Sequence, residues 1–123
     1  MVEIFRGLPT HKLSLPCGDE LIVALHGAHV LSWVSQGRER LYLSPQSVMD
    51  GHAAIRGGVP VCFPQFNQRG PLPKHGFARN MTWAFDGAHT SSSPAHLDFS
   101  LHANADTLAL WPQQFVARLR VQL

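Results

Sequence analysis

FVARLRVQL, residues 115–123, alternates without a break. Phe115, Ala117, Leu119, Val121 and Leu123 fall on one side, opposite Arg118, Arg120 and Gln122. An extended backbone sends successive side chains to opposite faces, so a period of two marks a strand with one apolar and one wet face. HLDFSLH (96–102) repeats the pattern, with Leu97, Phe99 and Leu101 inward and His96, Asp98, Ser100 and His102 outward. Further out, DELIVALHGAHVLSWV (19–35) reads as two strand-forming runs broken at Gly27, with Leu21, Val23 and Leu25 on one face. ERLYLS (39–44) and MTWAFDG (81–87) are shorter strand candidates. DGAHTSSSPA (86–95) and ANADT (103–107) are turn-rich connections, and 45–80 is expected to be mostly loop. No segment of helical period has convincing length. The fold class that follows is all-β, an antiparallel sandwich.

The last residue, Leu123, falls inside the strongest alternating strand. Residues 1–123 are therefore expected to be the N-terminal portion of a single, larger β-sandwich domain. The sheet edge left unclosed at that strand is an expected route of association, since an unpaired edge offers free N–H and C=O groups.

A chain of 123 residues suits one domain, and one of this size buries about two-thirds of its unfolded surface. Hydrophobic content of 45% and charged content of 15% describe a packed protein rather than a disordered one. A net charge of +2 gives no electrostatic footprint for nucleic acid or for an anionic membrane, and neither is expected as a partner. Of the ten basic residues only Lys12 and Lys74 are lysine. The arginine bias suits a planar fork gripping carboxylate or phosphate. Cys17 and Cys62 could make one bridge at most, and Cys62, within VPVCF (59–63), reads better as a buried thiol. MVEIFRGLPT (1–10) has no continuous apolar stretch of a secretion signal, and no run approaches the roughly 20 apolar residues of a membrane span. A cytoplasmic protein is the expectation.

Chemistry concentrates in AAIRGGVPVCFPQFNQRGPLPKHGFARN, residues 53–80. Gly57-Gly58 after Arg56 lets the backbone bend sharply or approach a neighbour closely. Pro60, Pro64, Pro71 and Pro73 restrict the chain beyond it, making a stiff platform for polar groups. Each residue has an ordinary alternative. Arg56 could cap carbonyls, Arg79 could pair with Asp86, and Lys74 could simply be solvated. His75 stands beside Lys74, whose charge favours the neutral imidazole, able both to donate and to accept. His26 and His29 have odd spacing and cannot share a metal on a straight strand, and His96 and His102 lie six residues apart on a wet face. The spacing offers no metal site, zinc motif or nucleophile elbow.

GAHVLSW (27–33), IRGGVPVCFPQF (55–66) and HGFARNMTW (75–83), in that order, resemble the hexose-6-phosphate mutarotases. These are the glucose-6-phosphate 1-epimerases of the aldose 1-epimerase, or galactose mutarotase-like, superfamily, and the resemblance extends over about residues 10–123. It implies a large antiparallel β-supersandwich with the sugar on its concave face, a hexose 6-phosphate as small-molecule partner, no cofactor and no metal. It implies that Arg56 and Arg79 bind the sugar phosphate, that Lys74 occupies a substrate-contacting position where glutamine is usual, and that His75 lines the sugar site in an accessory catalytic role. Asn67 stands where the family usually has glycine. Phosphate with about two negative charges suits arginine forks with a point charge nearby. Mutarotation also needs a base for the anomeric hydroxyl proton and an acid for the ring oxygen. The resemblance places these, a glutamate and a histidine, in the later half of the domain; Glu3, Glu20 and Glu39 match neither position. The alternative expectation is therefore a non-catalytic fragment that binds sugar phosphates, or an inactive truncated protein.

Overall fold

A turn with positive φ at both central residues reverses a strand within two residues and keeps the natural twist of the pair. Arg6-Gly7 (φ 49° and 89°) and Gln36-Gly37 (φ 54° and 75°) are two such turns. In a computed structural model describing residues 2–123, they help to fold the first third of the chain into a meander. Its strands are β1 (Glu3–Phe5), β2 (Leu8–Ser14), β3 (Glu20–Ala24), β4 (His29–Ser35) and β5 (Arg38–Glu39), antiparallel and in sequence order across one sheet. A second antiparallel sheet follows, with β6 (Ala84–His89), β7 (His96–His102) and β8 (Val116–Gln122) in the order β6-β7-β8. A six-residue helix, α1 (Ala105–Leu110), connects β7 to β8.

The two sheets meet face to face, β2 against β7. Leu13, Leu21, Val23 and Val30 of the first sheet share a core with Leu97, Phe99 and Leu101 of β7, closed by Phe77 and Trp83 from the intervening segment. Fully burying one such side chain contributes about 1.5–3 kcal/mol. β7 is central in its sheet and supplies the middle of this core, as its alternation predicts.

Several expectations change. The strands at 3–5 and 8–14 were not assigned from sequence, because buried Thr10 and His11 interrupt the apolar alternation there. Thr10 donates its hydroxyl to Glu3 O (2.9 Å), and the His11 ring stacks on Phe85 with centroids 3.5 Å apart. ERLYLS is mostly irregular: only Glu39 lies in a strand, and Leu43 makes one isolated bridge to Gly57. The turn expected around 103–107 leads into α1, whose Asn104 cap accepts from the Asp106 and Thr107 N–H groups while the Thr107 hydroxyl accepts from Asn104 N. His96 and Ser100 alternate outward but are buried, His96 under the His89 ring and Ser100 donating to Asp86 (3.1 Å). Cys62 is a half-buried free thiol and Cys17 an exposed one. No helix among the described residues is long and apolar enough to cross a membrane.

Candidate functional site

Between β5 and β6 the backbone takes its hydrogen bonds from scattered partners instead of a ladder. Val30 bridges Val59, which ties the segment to β4 of the first sheet, while Leu43–Gly57 and Phe63–Gly76 bridge the segment to itself. Gly57 (φ 111°) and Gly58 (φ 64°) sit so close to the Tyr42 and Val30 carbonyls that a Cβ on either would collide with backbone. Only glycine meets both demands. The close approach anchors Arg56, whose N–H donates to Ser47 Oγ (2.9 Å) and whose carbonyl accepts from Ser44 N (2.9 Å). The Arg56 side chain itself is exposed, and among the described residues its guanidinium has no hydrogen bond or ion pair. The carbonyl-capping alternative is not what the structure holds.

At the other end of the loop, Arg79 lies in a short 3₁₀ turn, Ala78–Asn80, with its carbonyl packed against Gly27. Its Nη2 donates to Lys74 O (3.1 Å), while its Nε–H is buried without a partner among the described residues. Asp86, the sequence alternative for its partner, instead accepts the Ser100 hydroxyl. Lys74 is exposed. Its carbonyl orders Arg79, and its ammonium is left to solvent.

His75 sits at φ 66°, a left-handed conformation that a non-glycine residue enters only when its surroundings enforce it. Asn67 supplies the enforcement from across the loop: its carbonyl accepts the His75 N–H (2.9 Å) and its N–H donates to His75 Nδ1 (3.0 Å). Nδ1 therefore carries no proton, and Nε2–H is the end left for a ligand. Desolvation first, then the charges of Arg79 and Lys74, lower the His75 pKa and hold the ring neutral. Buried Gln65 fixes the arc between: its amide donates to Asn67 O (2.8 Å) and Leu72 O (3.0 Å), and its carbonyl accepts Leu72 N (2.9 Å).

Two further histidines belong to this neighbourhood, and the spacing argument had set them aside. The chain does not run straight between them: Gly27 (φ 78°) and Ala28 (φ 46°) turn it between β3 and β4. Both rings therefore reach the segment around Arg56, His26 Nε2–H donating to Ala53 O (3.2 Å) and His29 Nε2–H to Gly57 O (2.6 Å). The glycine in GAHVLSW was the one local signal for that turn. Burial chiefly lowers the His29 pKa; the hydrogen bond to Gly57 opposes this, and the charges of His26 and Arg79 reinforce it. Arg79 lies between the two histidine-bearing segments, its carbonyl against Gly27 and its Nη2 on the Lys74 carbonyl beside His75. The result is a cationic, neutral-imidazole surface with fixed backbone and free guanidinium and ammonium heads, suited to an anion carrying hydroxyl groups.

Residues 9–123 match the Aldose 1-epimerase family. The chain belongs to that family. A proposed glucose-6-phosphate 1-epimerase of Escherichia coli is 44% identical to this family member over 104 residues, 80% of this chain and 35% of that protein. One from Cenchrus ciliaris is 39% identical over 107 residues, 82% of this chain and 32% of that protein. The crystal structure of a proposed mutarotase from Salmonella typhimurium superposes with a TM-score of 0.88 at 34% identity, over 99% of this chain and 42% of that one. A galactose mutarotase-related enzyme from Lactobacillus acidophilus shares the fold (TM-score 0.71, 21% identity). This member of the aldose 1-epimerase family spans about a third of the length of the curated relatives it matches. Its two sheets are thus part of a galactose mutarotase-like sandwich.

Proposed function

We propose that this chain carries the sugar-phosphate-binding part of an enzyme that interconverts the α and β anomers of a hexose 6-phosphate, glucose 6-phosphate in particular. The observation that carries the reading is the loop from Arg56 to Arg79. Its backbone is locked by glycine contacts, by Gln65 and by the Asn67–His75 pair, while the Arg56 and Lys74 heads remain free. Arg56 and Arg79 hold the phosphate, and Lys74 adds a point charge at its rim. His75 donates Nε2–H to a sugar oxygen. With Nδ1 already engaged, the neutral ring has no free lone pair to take a proton, so its part is to orient and donate rather than to act as base. Full anomerase activity needs an acid and a base that this reading assigns to the rest of the family domain, which residues 1–123 begin.

The test is titration of the chain with glucose 6-phosphate and with glucose, followed calorimetrically, beside polarimetry of α-glucose 6-phosphate. Glucose 6-phosphate should bind, glucose should bind much more weakly, and Arg56→Ala should cost about 1.5–3 kcal/mol of the difference, the worth of charge-assisted hydrogen bonds. Mutarotation should stay near the spontaneous rate, since a positioned acid or base each supplies about 10²–10⁴-fold. Equal affinity for both sugars, or an Arg56→Ala variant that binds normally, would remove the phosphate assignment.

A further inference from the structure

We infer that His89, His96 and Asp98 form a binding site for a divalent cation of the zinc class, on the β6–β7 hairpin and apart from the sugar-phosphate loop. His89 and His96 are direct cross-strand partners, and their rings stack with centroids 4.5 Å apart. Asp98 stands two residues beyond His96, hence on the same side of β7. Asp98 Oδ2 lies 3.6 Å from His89 Nε2 and 3.7 Å from His96 Nε2, and one ligand atom from each of the three residues falls within 4.8 Å of the others. Ligands about 2.0–2.1 Å from a tetrahedral zinc stand roughly 3.3 Å apart, so closing the set takes a shift that the half-exposed His89 ring can make.

The surroundings favour a cation at this point. His96 Nδ1–H donates to Pro94 O (3.2 Å), which leaves the Nε2 lone pair directed at the Asp98 carboxylate. A lone pair facing a carboxylate is repulsive unless a proton or a metal ion stands between them. A backbone carbonyl on the far nitrogen is also what orients metal-binding histidines. Arg120 steadies the carboxylate from the neighbouring strand, Nε donating to Oδ1 (2.8 Å) and Nη2 to Oδ2 (3.1 Å). Each carboxylate oxygen has two lone pairs, so a metal on Oδ2 leaves the Oδ1 bond to Arg120 in place. Two imidazoles and one carboxylate, with a fourth position open to solvent, suit zinc and its borderline neighbours better than calcium or magnesium, which prefer oxygen ligands alone. Spacing along the chain hid the set, because His89 joins it only across the hairpin.

The experiment is calorimetric titration of the full chain with zinc chloride, repeated with cobalt chloride to read the tetrahedral absorption of the bound ion. One ion per chain should bind, thermal denaturation should shift upward with zinc, and His89→Ala should weaken binding at least tenfold and abolish the shift. His89 is exposed, so the variant should fold. His102→Ala, on the same strand but outside the cluster, should bind as the parent does. No saturable binding would overturn the site, and so would equal losses in His89→Ala and His102→Ala, which would mean that scattered surface histidines hold the ion.

Discussion

His29 is the residue on which the loop and the first sheet meet. Its ring is buried and neutral, held by the Gly57 carbonyl, and its pKa lies below the ordinary histidine value of 6.5. His11 and His75 are lowered too, both chiefly by desolvation. In the unfolded chain these imidazoles take up protons as pH drops through about 6.5, while in the fold they resist. The unfolded state then binds more protons, so stability should fall with decreasing pH through this window. Asp98 works in a lower window: hydrogen bonding from Arg120 depresses its pKa, and that contribution disappears only as pH falls through the depressed value. Urea midpoints between pH 7 and 5 should therefore decline, and the decline should be shallower in His29→Gln, which keeps a donor for Gly57 O without a titrating ring. An unchanged slope would show that His29 does not carry the effect.

At the level of elements, what could be read from sequence was what alternates. Residues 96–102 and the two runs around Gly27 were legible as β7, β3 and β4 because Leu97, Phe99 and Leu101, Leu21 and Val23, and Val30 and Leu31 give each an apolar buried set, although His96, Ser100, His29 and Ser32 are buried beside them. β2 was illegible because Thr10 and His11 are buried through a hydrogen bond and a ring stack, neither of which shows in a hydrophobic pattern. α1 was overlooked because six residues give no periodicity, although the Asn104–Thr107 capping pair marks its start. The Gly57-Gly58 corner was legible as a bend, but its partners, the Tyr42 and Val30 carbonyls, were not. Gly57→Ala should therefore cost more than an ordinary turn substitution. The positive φ costs about 1–2 kcal/mol for an L-residue and the backbone shift about 1–3 more. Chemical denaturation should show a loss of about 2–5 kcal/mol; a loss under about 1 kcal/mol would mean that the backbone around the corner parts easily.

Across the whole molecule, the candidate site was legible where chemistry is local and hidden where it is not. Arg56, Lys74, His75 and Arg79 stand out because glycine and proline isolate them from any packing pattern. His26 and His29 reach the same region only through the turn at Gly27, and the His89 cluster only through a hairpin register. One part of this architecture bears on how the protein meets a protease. The exposed stretch from Phe66 to Lys74 offers trypsin Arg69 and Lys74, yet the buried Gln65 amide, beside the Asn67–His75 pair, ties its two ends together. Cleavage requires several residues to open into an extended strand, which the intact amide opposes at both ends of the arc at once. Native chains should resist trypsin at these bonds, whereas Gln65→Ala should be nicked at Arg69 or Lys74 well before global unfolding, a difference that mass spectrometry of early digests would read directly. Susceptibility at this one place is thus governed by a residue the protease never touches.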